Sequence, residues 1–240
     1  MTRYNNNPLY QKAGLICSSL IVSLQVISIT YTLRAWQGIN PLYLVALFIF
    51  AYILTDFING LAHLYMDNNT QYNGLLGPFV AAFHLHHLTP KYTRKHPIMV
   101  YFYESGSKFW LFFYLFMLVW AQHQFQLSFE MQFFFTWIGL LSSFAEVSHF
   151  WCHHTKHQSS LIKFLQNSGI LLSKKHHMIH HVSDNKNYAF LNGISDPLIN
   201  RIAYALYDGY KNNADKHAKS YTGDQTNNRG AKETAPKKDK

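Results

Sequence analysis

The chain has 240 residues, of which 14% are charged and 17% aromatic, and its 15 histidines outnumber the 12 Asp and Glu together. So aromatic and charge-poor a composition excludes a disordered chain, which needs low hydrophobicity and high net charge. The 2 cysteines, Cys17 and Cys152, exclude a disulfide framework. The formal charge of +9 concentrates partly at the end, where residues from Lys211 onwards hold eight basic against four acidic side chains.

In chain order, residues 1–12 form a short polar segment. Residues 13–32 carry no charge, and 41–64 carry only Asp56. Each is long and apolar enough for a membrane-crossing helix, which needs roughly 20 such residues. Residues 109–122, FWLFFYLFMLVWAQ, are apolar but shorter, and 127–150 hold Glu130 near the start and Glu146 near the end. These two segments read as tilted crossings in preference to a re-entrant hairpin, with Trp110 and Trp120 as interfacial anchors. A signal peptide is excluded as the reading of the first segment, because further apolar segments follow and no small-residue cleavage site precedes a soluble domain.

The expected fold is an all-α integral membrane protein of about four transmembrane helices with a cytoplasmic, histidine-rich helical cap. The membrane-embedded domain spans 13–207. Residues 208–240 read as a polar, basic, disordered tail that is dispensable for activity. Nucleic acid is not an expected partner, since beyond Tyr221 the tail offers no aromatic to interleave with its basic residues.

Orientation follows from Lys and Arg in the connections. The 34–40 connection has Arg34 and the 122–127 connection has none. The 63–108 connection holds Lys91, Arg94, Lys95 and Lys108, and Lys156, Lys163, Lys174 and Lys175 follow residue 150. Both termini and both long polar segments are therefore placed in the cytoplasm, and with them every histidine except His123.

The histidines fall in clusters: His63, closing the second apolar segment; His84, His86 and His87, followed by His96; His149, His153, His154 and His157; and His176, His177, His180 and His181. On a helix, residues three or four apart share a face. His149 and His153 then point together, and His177 is joined by His180 and His181. Asp56, Asp67 and Glu146 are candidates to accept the remaining ring N–H of a metal-bound imidazole. Polar residues at membrane depth are costly and mostly functional, so a metal site is the expected use. Eight or more imidazoles exceed one tetrahedral ion, which favours two. Imidazole suits Zn, Cu, Fe and Ni alike, and spacing does not choose among them.

The segments TDFINGLAHLYMD, HHLTPKYTRKH, SHFWCH and KKHHMIHHVSDNKNYAFLNGISDPLINRI resemble, in order and spacing, the Kua-type lipid desaturases over about residues 55–202. That family includes the plasmanylethanolamine desaturases, the bacterial CarF proteins and a plastid desaturase of phosphatidylglycerol. The resemblance implies a membrane di-iron oxidase that removes hydrogens from a lipid C–H pair. It implies O2 as co-substrate and electrons from a cytochrome b5- or ferredoxin-like partner. The family's histidine motif lands on His63, His86, His87, His149, His153, His177, His180 and His181, with His96 and His176 accompanying it as metal-site residues. The chain departs from the family in having His84 in place of an Arg, in having His154 and His157, and in the stretch Pro97–Tyr101, which replaces an acidic, Asn-rich run.

Ligands at the ends of the apolar segments place the irons near the head-group level, which favours oxidation close to the glycerol end of a phospholipid chain. The vinyl ether bond of a plasmalogen is the expected product, with acyl-chain desaturation or lipid hydroxylation on the same site as alternatives. Lys91, Arg94, Lys95, Lys174 and Lys175 are candidates for the lipid phosphate, although positive-inside topology accounts for them nearly as well. The non-enzyme alternative is a metal transporter or sensor. It would want ligands along a path through the membrane, where 109–144 offer only Glu130 and His123. Sequence leaves the oligomeric state open, and both a bacterial inner membrane and the endoplasmic reticulum fit.

Overall fold

A computed structural model describes residues 8–69, 71–72, 76–88, 92, 96–154, 158–183 and 185–207. Lys91, Arg94, Lys95, His157 and the tail from 208 lie outside the described residues, as do the first seven residues of the N-terminal segment. The described residues contain helices and no strand. In chain order the helices are α1 Pro8–Arg34, α2 Pro41–Asn68, α3 Gly77–Leu88, α4 Pro97–Ser105, α5 Phe109–Gln124, α6 Phe129–His153, α7 Ser160–Asn167, α8 Lys174–Val182 and α9 Asp196–Leu206.

Among the described residues, two helical spans are long and apolar enough to cross a membrane, Lys12–Arg34 and Pro41–Asn68. At 16 residues, α5 extends roughly 24 Å, short of the ~30 Å hydrocarbon thickness. The four long helices pair in two directions. Trp36 packs on Phe129, Phe50 stacks on Phe134, and the Tyr31 hydroxyl meets His123 Nδ1 at 3.0 Å. The connections 35–40 and 125–128 therefore share one end of the bundle, and α1 and α5 run opposite to α2 and α6.

The bundle is apolar outside, and its interior sets polar side chains among apolar ones such as Ile21, Leu111 and Leu115. Leu15, Val26, Leu42, Phe113 and Phe116 face outward, while Ser18, Gln25, Ser28, Thr32 and Thr136 are buried between helices. Gln25 donates to the Gly139 carbonyl and Ser143 Oγ, and Ser28 and Thr136 hydroxyls meet at 2.7 Å. Such contacts are the usual bonding between helices in lipid, where no hydrophobic drive pulls them together.

Short elements close the other end. Pro97 and Pro41 suit the first turns of α4 and α2, and Ser173 and Ser159 cap α8 and α7 through their hydroxyls. Gly60 lets α9 and the 189 backbone approach α2, since a side chain there would strike Ile199. A cavity of 830 Å³ lies between α2, α6 and α7, lined by Phe48, Tyr52, Trp137, Phe144 and Trp151 among others. By helical periodicity it is on the α6 face turned away from His149 and His153.

Candidate metal centre

The helix ends opposite the 35–40 connection bring nine donors into two adjoining groups. In one, the ligand atoms of His86, His149, His153, His177 and His181 all lie within 4.8 Å of one another; in the other, those of His63, Asp67, His87 and His180 do so. Helix α2 supplies His63 and Asp67, one turn apart, and α6 supplies His149 and His153, also one turn apart. The neighbours His86 and His87 on α3 divide between the groups, and α8 sends His177 and His181 to one and His180 to the other.

The donors point at each other in a way that protons cannot resolve. His177 Nε2 lies 2.9 Å from the Nε2 atoms of His149, His153 and His181. One ring hydrogen satisfies one such contact and leaves lone pair facing lone pair in the rest. In the second group, His63 Nδ1 donates to the Tyr188 carbonyl at 2.7 Å and His180 Nδ1 to the Lys186 carbonyl at 2.8 Å. Those bonds fix the tautomer, so each Nε2 turns a lone pair toward Asp67 Oδ2, at 3.1 and 3.3 Å. His87 Nε2 is 3.1 Å from the same oxygen, and Asp67 Oδ1 is buried with no hydrogen-bond partner. Converging lone pairs around a buried carboxylate are the donor set of a cation. Both groups fit a metal ion.

Burial favours the neutral form of His86, His177, His180 and His181. It holds His86 and His177 well below the usual histidine range, with His153 as the next cause in each case. Burial and then His63 bring His180 down to about 3, and burial and then His87 bring His181 down to about 2. Neutral imidazole is the form that binds metal.

The loop after α8 carries the orienting carbonyls and is itself tied down. Asn185 and Asn187 adopt left-handed backbone, with φ of 51° and 59°, a conformation asparagine tolerates best among side-chain-bearing residues. Asn187 donates to the His176 carbonyl, and its own N–H donates to Asn200 Oδ1. Phe190, from the same loop, packs edge-on against His63 at 4.5 Å and stacks on His149 at 4.9 Å. A narrow slot lined by Ala62, Met66, Phe83, Trp110 and Phe190 reaches His63.

The family model for the lipid desaturase domain matches residues 52–207, the span that contains every donor. The chain belongs to the Kua-type lipid desaturase family. No curated protein and no solved structure matches it. Family membership, with two helices apolar enough to cross a bilayer, supports a membrane protein.

In this desaturase several residues take places other than those expected. Asp67, expected to orient a histidine, stands inside the second donor group. Asp56 touches no histidine of the two groups. It is fully buried and accepts from the backbone N–H groups of Leu191, Asn192, Gly193 and Ser195 and from the Ser195 hydroxyl, holding the loop that carries Phe190. Glu146 Oε2 is 3.6 Å from His149 Nδ1.

His96 and His176, expected with the metal ligands, lie outside both groups. His96 is exposed and its Nδ1 accepts from the Ile98 N–H, capping α4. His176 Nε2 meets Asp196 Oδ2 at 2.5 Å, across Gly193, whose φ of 87° and missing side chain make room for the ring. His84 is engaged on both nitrogens, with the Tyr72 hydroxyl at Nδ1 and with Nε2 donating to the Asp67 carbonyl, so it braces Asp67 and lies outside both donor groups. His154 stacks on Phe150 at 4.5 Å, apart from both groups. Lys174 and Lys175 are exposed at the start of α8.

Tyr92 was not legible as a site residue. Its oxygen lies 2.7 Å from His149 Nδ1, and with that nitrogen protonated it accepts as the carbonyls do for His63 and His180. Only its place among Lys91, Arg94 and Lys95 in the sequence hinted at proximity to the histidines. Lys108, counted above as a charge of the polar connection, turns inward and is buried.

Proposed function

We propose that this lipid desaturase is an O2-dependent di-iron enzyme that introduces a double bond near the glycerol end of a phospholipid chain, forming the vinyl ether bond of a plasmalogen from an alkyl-ether phospholipid. One observation carries the metal reading: two adjoining groups of converging, tautomer-fixed donors at one end of an apolar bundle. The position of that end supports oxidation close to the head group. Four crossings with both termini and the histidine cap in the cytoplasm complete the reading, and a cytochrome b5- or ferredoxin-like protein supplies the electrons.

Bound iron would supply the oxidising power for breaking two C–H bonds, held by His86, His149, His153, His177 and His181 in one group and by His63, Asp67, His87 and His180 in the other. The chain's own residues do the rest. Asp67 supplies the negative charge that an all-imidazole group lacks. The carbonyls of Lys186 and Tyr188 and the Tyr92 oxygen hold three imidazoles in the ligating tautomer. Phe83, Trp110 and Phe190 set apolar surface beside His63, which lowers the local polarity at that ligand. Lys174 and Lys175 are exposed cations suited to a lipid phosphate, together with Lys91, Arg94 and Lys95.

The test is lipid mass spectrometry on a host that makes saturated alkyl-ether phospholipids, expressing this chain or its His180→Ala variant with an electron donor supplied. A new species lacking one pair of hydrogens, destroyed by mild acid and absent from the variant, is the expected result. A species of that mass that survives acid moves the double bond to an acyl chain. A species gaining oxygen makes the enzyme a hydroxylase, and no new species in iron-loaded cells overturns the reading.

A further inference from the structure

Lys108 stands just before α5 with its side chain inside the bundle, 3% exposed. Its ammonium has three hydrogens, and three acceptors meet it: Asn59 Oδ1 at 2.8 Å, the Ser142 carbonyl at 2.7 Å and Glu146 Oε1 at 3.0 Å. Asn59 belongs to α2, and Ser142 and Glu146 belong to α6. Asn59 is one turn before His63, and Glu146 is three residues before His149, whose Nδ1 its other oxygen faces. The ammonium also lies 5.2 Å from the centre of the Phe190 ring, the ring that touches both His63 and His149.

The two donor groups ride on the ends of these same helices, so their separation depends on how far α2 is advanced along α6. Apolar contacts between helices resist sliding weakly, whereas hydrogen bonds are directional and fail over a fraction of an ångström. A slip of one residue moves a helix by about 1.5 Å, enough to break the bonds from Lys108 on one side. A buried ion pair is a poor device for stability, because desolvation offsets much of its attraction. Fixing a register is the better-attested use of such a group.

We propose that Lys108 is a positioning residue that locks the relative height of α2 and α6, and with it the spacing of the two metals. The proposal rests on the two-metal reading above, and the experiment separates the two. The full-length protein is loaded with Fe(II) in nanodiscs, and iron content, thermal midpoint, magnetic coupling between the irons and turnover are measured. Wild-type chain holding fewer than two irons would overturn the two-metal reading before any variant is compared.

With two irons in the wild type, the double variant Lys108→Met, Glu146→Gln removes both buried charges together and leaves neither unpaired. It is expected to fold and bind two irons, with altered coupling and turnover reduced roughly 10- to 100-fold, the scale on which small misplacements act. Lys108→Arg, which keeps the charge but not the shape, is expected to restore part of both. Unchanged coupling and turnover in the folded double variant overturn the proposal. If the double variant does not fold, Lys108→Arg decides: shifted coupling sustains the proposal and wild-type coupling overturns it. Failure of both variants to fold assigns Lys108 to the fold alone.

Discussion

His63 Nδ1 donates to the carbonyl oxygen of Tyr188, 125 residues further along the chain and 2.7 Å away. That bond decides what the other side of the ring does. With the hydrogen on Nδ1, Nε2 meets Asp67 as a lone pair, and the pair becomes a metal-binding face. His180 repeats the arrangement on the Lys186 carbonyl.

Removing one such ring tests the assignment. His180→Ala is expected to lower turnover by at least about 100-fold, beyond the loss typical of residues that merely orient ligands. The variant still inserts in the membrane, because the long apolar helices are untouched. Elemental analysis of the purified chain is expected to show the loss of metal from the Asp67 group only. Unchanged turnover would remove His180 from the ligands.

Asp67→Asn is expected to move binding and stability in opposite directions. An amide cannot supply the charge, so one metal per chain is lost. Its NH2 group can donate to the lone pairs that surround the position, so the metal-free chain gains about 1 kcal/mol. Metal content and thermal unfolding of the metal-free protein measure both effects, and a destabilised metal-free variant would mean that Asp67 pairs with protonated histidine instead.

Much of this site could be read from spacing. The i, i+4 pairs His149–His153 and His177–His181, and the pair His86–His87, all reach the donor groups. Asp67 had the same spacing from His63, but a carboxylate one turn from a histidine reads equally as ligand or as orienting partner, and only the fold distinguishes them. The carbonyls of Lys186 and Tyr188 were not legible, since a backbone oxygen leaves no mark in the sequence. Lys108 was misleading for a related reason: a lysine between polar and apolar segments looks like a topology signal, and its inward turn depends on acceptors from α2 and α6.

Asp56 illustrates a structural role hidden by an apparently catalytic position. Its carboxylate accepts four backbone N–H groups and a hydroxyl from the 191–195 loop. Asp56→Ala leaves those donors buried and unpaired and is expected to cost about 3 kcal/mol, read as a lowered Tm. Because the loop carries Phe190, turnover falls with it. A variant with wild-type Tm would contradict the role.

His96 separates the structure from the family pattern. Exposed and capping α4, it is expected to tolerate Ala at a cost of about 1 kcal/mol, with full metal content. Loss of one metal in His96→Ala would return it to the ligands.

Acid should expose the burial of the empty site. A histidine titrates near 6.5 in the unfolded chain, whereas folding brings His180 to about 3 and His181 to about 2. Between those values the unfolded chain binds protons that the folded chain refuses. Stability therefore rises with pH across that window, and none of this penalty remains above the ordinary histidine range. The metal-free protein is expected to lose thermal stability steadily from pH 7 to pH 5, while His180→Ala, with one suppressed group fewer, loses less over the same range. Thermal unfolding of the two metal-free chains at matched pH values measures the difference. Parallel curves would show that His180 takes up its proton in the folded protein as readily as in the unfolded one.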